Sequence, residues 1–397
     1  MADKGANLTM SLPYVAREIE GEMRRRLSEG ERIVMLYGAR RVGKTTLVRH
    51  LVAGEPLRVL ELSGDDIAVS DALSSRDTSR LLGMVAGYDI AFIDEAQRIP
   101  DVGVGLKIIH DGLPSLKLVV TGSSSLDLAS KTREALTGRA WSFSLSPFSV
   151  EELSAGRNRF ELERDLERDL VYGLYPEVQA CGSDSERAAF LRELHASYLF
   201  KDILEMGGIR QPRKIVDLLR LLAWQLGSEV SFSELGAKLG MSKDTVAGYV
   251  DLLEKAFVLF RLQPYARNLR NEVTRSPKIY FVDNGVRNAA VGDFRAFSLR
   301  NDQGGLWENF IVSERRKRLA ARGRGVEMRF WRLHTGAEID YIEESEGALR
   351  GWEIKLSPSG KAKAPASWTG AYPQASWALV DRSNYLDFIT GSTGDLP

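Results

Sequence analysis

Short apolar runs separated by helical stretches fill the first third of the chain. Ile33-Val34-Met35-Leu36-Tyr37 is apolar throughout, as expected of a parallel strand covered on both faces. Leu57 to Leu62, Asp89 to Ile93 and Lys117 to Val120 repeat the pattern, and Thr46 to Val52 predicts a helix after the first run. From Ser149 the pattern turns helical. Ser149-Val150-Glu151-Glu152 is a capping box, and helix extends to about Gly227 with a break at Gly173-Leu174-Tyr175-Pro176-Glu177, where Pro176 disfavours helix at Tyr175. Leu235 and Leu239 lie on one face of a short helix that Gly240 ends. Ser242 or Lys243 opens a second helix with Val246, Val250 and Leu253 on its inner face, a helix-turn-helix pattern. The apolar run Phe257 to Leu262 reads as a wing strand. Near the end the period becomes two: Ala337 to Ile342 and Leu349 to Leu356 alternate as strands, with a polar loop expected from Glu343 to Ala348.

Chemistry enters at the ends of these strands. Gly38-Ala39-Arg40-Arg41-Val42-Gly43-Lys44-Thr45, followed by Thr46, has the spacing of a phosphate-binding loop. Glycines allow a tight turn that aims backbone N–H groups at phosphate oxygens, and the helix N-terminus adds to their field. Lys44 is placed for the β- and γ-phosphates, and the Thr45 hydroxyl for Mg²⁺. Ile93-Asp94-Glu95 ends another apolar strand in two acids. Asp94 suits Mg²⁺ and Glu95 the attacking water, although the pair would also cap a following helix. Thr121 and Ser123, at the end of the Lys117 strand, are candidates for sensing the γ-phosphate or for capping alone. No Asn-Lys-x-Asp element follows, which favours ATP over GTP. Arg139 is a candidate finger for a neighbouring subunit's nucleotide, with Arg133 as a rival and a solvated surface arginine as the alternative.

In the C-terminal region, strand alternation puts Glu353 and Lys355 on one face and Trp352, Ile354 and Leu356 on the other. A hairpin would bring Asp340 beside Glu353. Two carboxylates with a lysine form the D…E-x-K pattern of nucleases, in which Asp340 and Glu353 hold Mg²⁺ and Lys355 positions a water. Glu308, on an expected helix, would complete the set. A salt-bridged strand face is the alternative. The basic stretch Arg315-Arg316-Lys317-Arg318, with Arg322 and Arg324, suits phosphate contact or a solvated charged face. Lys243, Asp244, Thr245 and Tyr249 are expected on the exposed face of the second helix of the helix-turn-helix, to contact DNA or only to pack as a lid.

Bulk properties narrow the classes. The chain has 397 residues, enough for two to three domains, and its formal net charge is zero, so no global field draws it to nucleic acid or membrane. The single cysteine, Cys181, excludes an intrachain disulfide. His50, His110, His195 and His334 have no zinc-ligand spacing. Met1 to Glu20 lacks a secretory pattern and no apolar stretch would span a bilayer, so a cytoplasmic protein without membrane contact is expected.

Several motifs together resemble prokaryotic ATPases that pair an AAA-type domain with a C-terminal DUF4143 region. They are the phosphate loop through Thr46, Ile93-Asp94-Glu95-Ala96-Gln97, Thr121-Gly122-Ser123-Ser124-Ser125, Leu136-Thr137-Gly138-Arg139 and Pro147-Phe148-Ser149. Gly173-Leu174-Tyr175-Pro176-Glu177, Tyr280-Phe281-Val282-Asp283-Asn284-Gly285, Glu308-Asn309 and the Asp340…Glu353-Ile354-Lys355 set complete them; Asn284 stands where such proteins often show threonine or serine. The resemblance implies ATP hydrolysis and strengthens Arg139 as a finger. It also implies an α/β fold. The expected parts are an AAA-like P-loop core (1–146), a helical lid (147–227), a winged helix-turn-helix (228–275) and a restriction-endonuclease-like domain (276–397). The expected activity is ATP-driven DNA processing by a homo-oligomeric ring such as a hexamer. The alternative is a nucleotide-switched scaffold whose C-terminal domain only binds DNA or a protein.

Overall fold

A computed structural model describes residues 13–53, 57–123, 136–207, 211–265, 276–323, 325–357 and 362–391. Arg133, Ser124, Ser125 and Arg324 lie outside them. The first layer is a parallel sheet of β1 (Ile33–Gly38), β2 (Val59–Ser63), β3 (Ile90–Asp94), β4 (Lys117–Gly122) and β5 (Ala140–Leu145), in the order β2-β3-β4-β1-β5. The three central strands are almost wholly buried, whereas the edge strands β2 and β5 are only partly so. Helices cover both faces, which explains the continuous apolar runs. The C-terminal ends of β1, β3 and β4 lie side by side, so the phosphate loop, Asp94 and Thr121 share one edge.

Ser149 caps the helix Val150–Ser154 with the expected reciprocal box to Glu152. The helix Arg159–Tyr172 stops at Gly173, whose place is set by Asp283: a Cβ on Gly173 would strike the Asp283 carboxylate. That carboxylate accepts the Leu174 N–H at 2.7 Å and the Gly285 N–H at 2.8 Å. Asn284 donates to the carbonyls of Leu170 and Leu306, each at 3.0 Å, and accepts from Asn309 at 2.7 Å. The Gly173, Asp283 and Glu308-Asn309 motifs therefore form one buried joint.

The helices Phe232–Leu239 and Lys243–Lys255 have Gly240 between them in the left-handed conformation (φ 61°), as the helix-turn-helix pattern predicts. Lys243, Asp244 and Thr245 are exposed, but Tyr249 is half-buried against the core. The second sheet contains β6 (Leu259–Pro264), β7 (Lys278–Phe281), β8 (Glu327–Arg332), β9 (Glu338–Ser345), β10 (Ala348–Ile354) and β11 (Ser376–Val380), ordered β11-β10-β9-β8-β6-β7. β6 pairs antiparallel with β7 and parallel with β8. The expected boundary at 275/276 thus falls inside a hairpin, and the expected wing strand belongs to the same sheet as the C-terminal region.

Two further expectations change. The polar loop from Glu343 to Ala348 is mostly strand, with a tight turn at Glu346 (φ 50°) and Gly347 (φ 81°). Glu343 stays in the strand because it is buried against the Arg315 guanidinium, with two hydrogen bonds of 2.6 and 2.9 Å. Three members of the basic stretch form neither a phosphate patch nor a solvated face, whereas Arg322 is exposed. Arg315, Lys317 and Arg318 are buried in the helix Gln303–Ala321. Their donors hold carbonyls of Phe388 and Phe148, while Arg322 meets Glu151 at 2.9 Å. Long side chains of this kind are satisfied by partners distant in sequence, which a local charge count cannot show.

Candidate functional site

At the end of β1 the chain turns sharply into the helix Lys44–Val52. A Cβ on Gly38 would collide with the Leu145 carbonyl, and Gly43 caps the helix with φ 96°. Arg41 also holds a positive φ of 59°, unusual for a side-chain-bearing residue. Buried Lys44 donates from Nζ to the carbonyls of Gly38 and Ala39, both at 2.9 Å. Thr45 Oγ1 donates to Asp94 Oδ2 at 2.7 Å. Thr121 Oγ1 and the Glu95 N–H both donate to Asp94 Oδ1. Fully buried Thr121 is therefore tied to Asp94, while any helix it was expected to cap would begin outside the described residues. Glu95 follows β3 in a left-handed turn (φ 52°) and its carboxylate accepts from Gln97.

Arg17 braces the loop from outside. It donates to the Val42 carbonyl at 2.9 Å, to the Ser146 carbonyl at 2.6 Å and to Glu152 Oε1 at 2.9 Å. Beside Gly43 and Thr46 opens a cavity of about 260 Å³ whose apolar walls include Val15, Leu47, Phe148 and Pro176. Arg41 is exposed and pairs with Glu193 at 2.7 Å. Arg139 is not part of this cluster. Its carbonyl accepts the Ile33 N–H at the start of β1, and its guanidinium holds Asp111 at 2.9 Å. One strand length, about 16 Å for parallel geometry, separates Ile33 from Gly38.

A second polar cluster lies in the C-terminal sheet. The β9–β10 register sets Trp352 opposite Tyr341, and so Glu353 opposite Asp340. Asp340 Oδ2 accepts the Ile354 N–H at 2.9 Å, and Lys355 pairs with Glu353 at 2.7 Å. Glu308 joins from the neighbouring helix, as expected, through Tyr280, whose hydroxyl donates to it at 2.6 Å. The centre is filled by Lys278, fully buried, with Glu308 at 3.4 Å, Asp340 at 3.7 Å and Glu338 also in contact. Burial opposes the Lys278 charge, but the three carboxylates outweigh it and hold its pKa above the usual lysine value. Burial pushes the Glu308 carboxyl up to about 7 despite the attraction of Lys278, with Asp340 adding to the rise. Burial, then Asp340, also raises Glu353. Glu338, Asp340, Glu353, Lys355 and Lys363 line an open cavity of about 660 Å³. Among the described residues, no group of three or more His, Cys, Asp or Glu side chains is arranged to hold a metal ion.

Family models match three stretches: an AAA domain over residues 30–154, a domain of unknown function (DUF8612) over 163–296, and a domain of unknown function (DUF4143) over 303–386. An uncharacterized protein of Mycobacterium tuberculosis is 31% identical over 344 residues, covering 85% of this chain and 73% of that protein. The chain belongs to the AAA-type ATPases with a C-terminal DUF4143 region. An uncharacterized protein of Methanocaldococcus jannaschii is 22% identical over 340 residues, covering 78% of this chain and 72% of its own. Among solved structures, a Walker-type ATPase of Pyrococcus abyssi shares the fold with a TM-score of 0.50 and 20% identity, covering 70% of this chain and 96% of that one.

In this DUF4143-bearing ATPase the sequence pattern does not single out Arg17 or Lys278, and it marks Gln97 only as the end of the Ile93-Asp94-Glu95-Ala96-Gln97 motif, without a role. Lys278 and Tyr280 alternate on β7 and so share a face, a signal that could have placed both beside Glu308. Arg17 carries no local signal. No helix of the described residues is long and apolar enough to cross a membrane.

Proposed function

We propose that the chain binds Mg²⁺-ATP on the loop Gly38 to Thr46 and hydrolyses it. The observation that carries this reading is the hydrogen bond between Thr45 and Asp94 beside the buried Lys44 ammonium. A hydroxyl and a carboxylate so joined at a phosphate-loop helix are the donor set that would hold Mg²⁺, which when bound neutralises phosphate charge. Lys44 offsets charge on the β- and γ-phosphates. Glu95 takes the proton of the attacking water. The apolar cavity beside Gly43 and Thr46 suits a purine base, and the missing guanine-reading element favours adenine. Arg139, at the far edge of the sheet, supports a homo-oligomer in which it serves a neighbour's nucleotide.

For the C-terminal half, the connectivity from the helix Pro212–Trp224 to the β6–β7 hairpin supports a winged helix, with a bridge from Glu229 to Lys278 as its first strand. The Glu308 helix with β9 and β10 supports a restriction-endonuclease-like core. Both make DNA the partner to test first. Lys278 favours the second reading over cleavage. Its ammonium already neutralises the carboxylates that a cation would otherwise need to bridge. In this reading ATP turnover sets a conformation, and the C-terminal half binds.

The test is ATPase rate on single-stranded, duplex, forked and four-way DNA. Lys44→Ala is expected to abolish turnover, and full activity in that variant refutes the site. Stimulation by one DNA form names the partner; a rate indifferent to all of them removes DNA from the reading.

A further inference from the structure

The Gln97 side-chain amide uses both of its N–H donors and its oxygen within the ATPase site. Nε2 donates to Glu95 Oε2 and, at 2.8 Å, to Ser123 Oγ. Oε1 accepts the Ser123 N–H at 3.3 Å. An amide has two donors on nitrogen, so once Ser123 takes one and binds the oxygen, the other has a fixed direction. That direction is the Glu95 carboxylate. Ser123 is buried at the end of β4, next to Gly122 and two residues beyond Thr121, which binds Asp94. The two acids at the end of β3 are therefore both tied to β4, Asp94 through Thr121 and Glu95 through Gln97.

We infer that Gln97 is the positioning residue for Glu95 in ATP hydrolysis, holding the carboxylate in place from the end of β4. The inference rests on the ATPase reading above. Glu95 needs this support because its backbone is a left-handed turn on the exit of β3, and among the described residues no other side chain hydrogen-bonds its carboxylate. A carboxylate that takes a proton from water works only when it points at that water, and a second hydrogen bond fixes its rotamer.

Steady-state ATPase, ATP binding and thermal unfolding are measured on Gln97→Ala, Gln97→Glu, Ser123→Ala and the Gln97→Ala/Ser123→Ala double variant. Gln97→Ala is expected to lower kcat about 10- to 100-fold, less than the roughly 10²- to 10⁴-fold that a general base contributes, because Glu95 itself remains. The dissociation constant for ATP should stay within about twofold, since the hydrogen bonds given above run to Glu95 and Ser123 and not to the phosphate loop. Gln97→Glu sets a second carboxylate against Glu95, so the acid limb of the kcat–pH profile should move to higher pH. Ser123→Ala should lower kcat less, and the double variant should resemble Gln97→Ala. Gln97→Glu is nearly isosteric and reports on the site even where Gln97→Ala unfolds. Turnover that Lys44→Ala removes but both Gln97 variants leave unchanged overturns the inference alone, as does a loss explained by weaker ATP binding. No turnover in the unmutated protein overturns the ATPase reading and the inference with it.

Discussion

Lys317 and Glu314 stand one helical turn apart, with Nζ and Oε1 2.6 Å from each other, and both are buried against the segment that leaves the ATPase core. Lys317 donates to the Phe148 carbonyl at 2.9 Å, and Glu314 accepts the Val150 N–H at 2.7 Å. Arg17 grips the same segment through the Ser146 carbonyl while also holding Val42 of the phosphate loop. One helix of the DUF4143 region thus carries Glu308 into the second cluster and Lys317 onto the frame of the first.

Lys317→Met should destabilise the protein by about 3–5 kcal/mol, because it leaves Glu314 buried without its partner. Burial already holds the Glu314 carboxyl above its ordinary pKa, with Lys317 pulling the other way. Adding Glu314→Gln should restore part of the loss, since no charge then remains unpaired. Denaturant midpoints for the two single variants and the double variant measure the coupling. Single variants as stable as the unmutated chain would show that the pair contributes nothing net.

The ATPase half was the legible half, because its chemistry lies within contiguous motifs at strand ends. Gly38 to Thr46 and Asp94-Glu95 needed only a strand before them to be placed. Asp340, Glu353 and Lys355 lie together as the strand alternation and hairpin predict, and Glu308 joins them from the helix on which it was expected. What the pattern hid depends on partners distant in sequence. Arg17 meets Glu152, Arg315 meets Glu343, and Lys278 meets Glu308 and Asp340. Four basic residues in a row look like a surface patch until the carbonyls and carboxylates that bury them are known. β5 escaped notice because its polar, half-exposed residues give no apolar run.

Arg139 lies at the opposite end of β1 from its own phosphate loop, so the proposed finger role would have to be played on a neighbouring copy's nucleotide. Arg139→Ala should lower kcat by about 10³-fold, the lower bound for a supplied arginine finger. Mixing it with Lys44→Ala should recover part of the activity, because each variant supplies what the other lacks. A wild-type rate in Arg139→Ala would reduce the residue to its exposed pair with Asp111.

Lys278 should make the C-terminal cluster indifferent to divalent cations. Without nucleotide, millimolar Mn²⁺ should neither bind there, as followed by its paramagnetic resonance signal, nor raise the melting temperature. Lys278→Ala should be destabilised by about 3–5 kcal/mol through repulsion among Glu308, Glu338 and Asp340. Mn²⁺ should then restore part of that loss. Mg²⁺-dependent DNA cleavage by the unmutated protein, removed by Asp340→Ala or Lys355→Ala, would instead establish the cluster as a nuclease site.

His195 should make stability fall with acid. Its ring lies beside a small cavity lined by Tyr175, Leu191, Leu219, Val258 and Val286, and burial, with Arg220 adding repulsion, lowers its pKa from 6.5 to about 4. The folded state therefore disfavours the proton that the unfolded state binds near pH 6.5. The stability tied to the neutral ring is complete above that pH and is lost as pH falls from 6.5 towards 4. By pH 5 the loss amounts to roughly 2 kcal/mol. His195→Leu keeps the site apolar and removes the titration, so its melting temperature should decline less between pH 7 and pH 5 than that of the unmutated chain. Parallel declines would mean that other groups carry the acid sensitivity and that the ring is solvated enough to titrate normally.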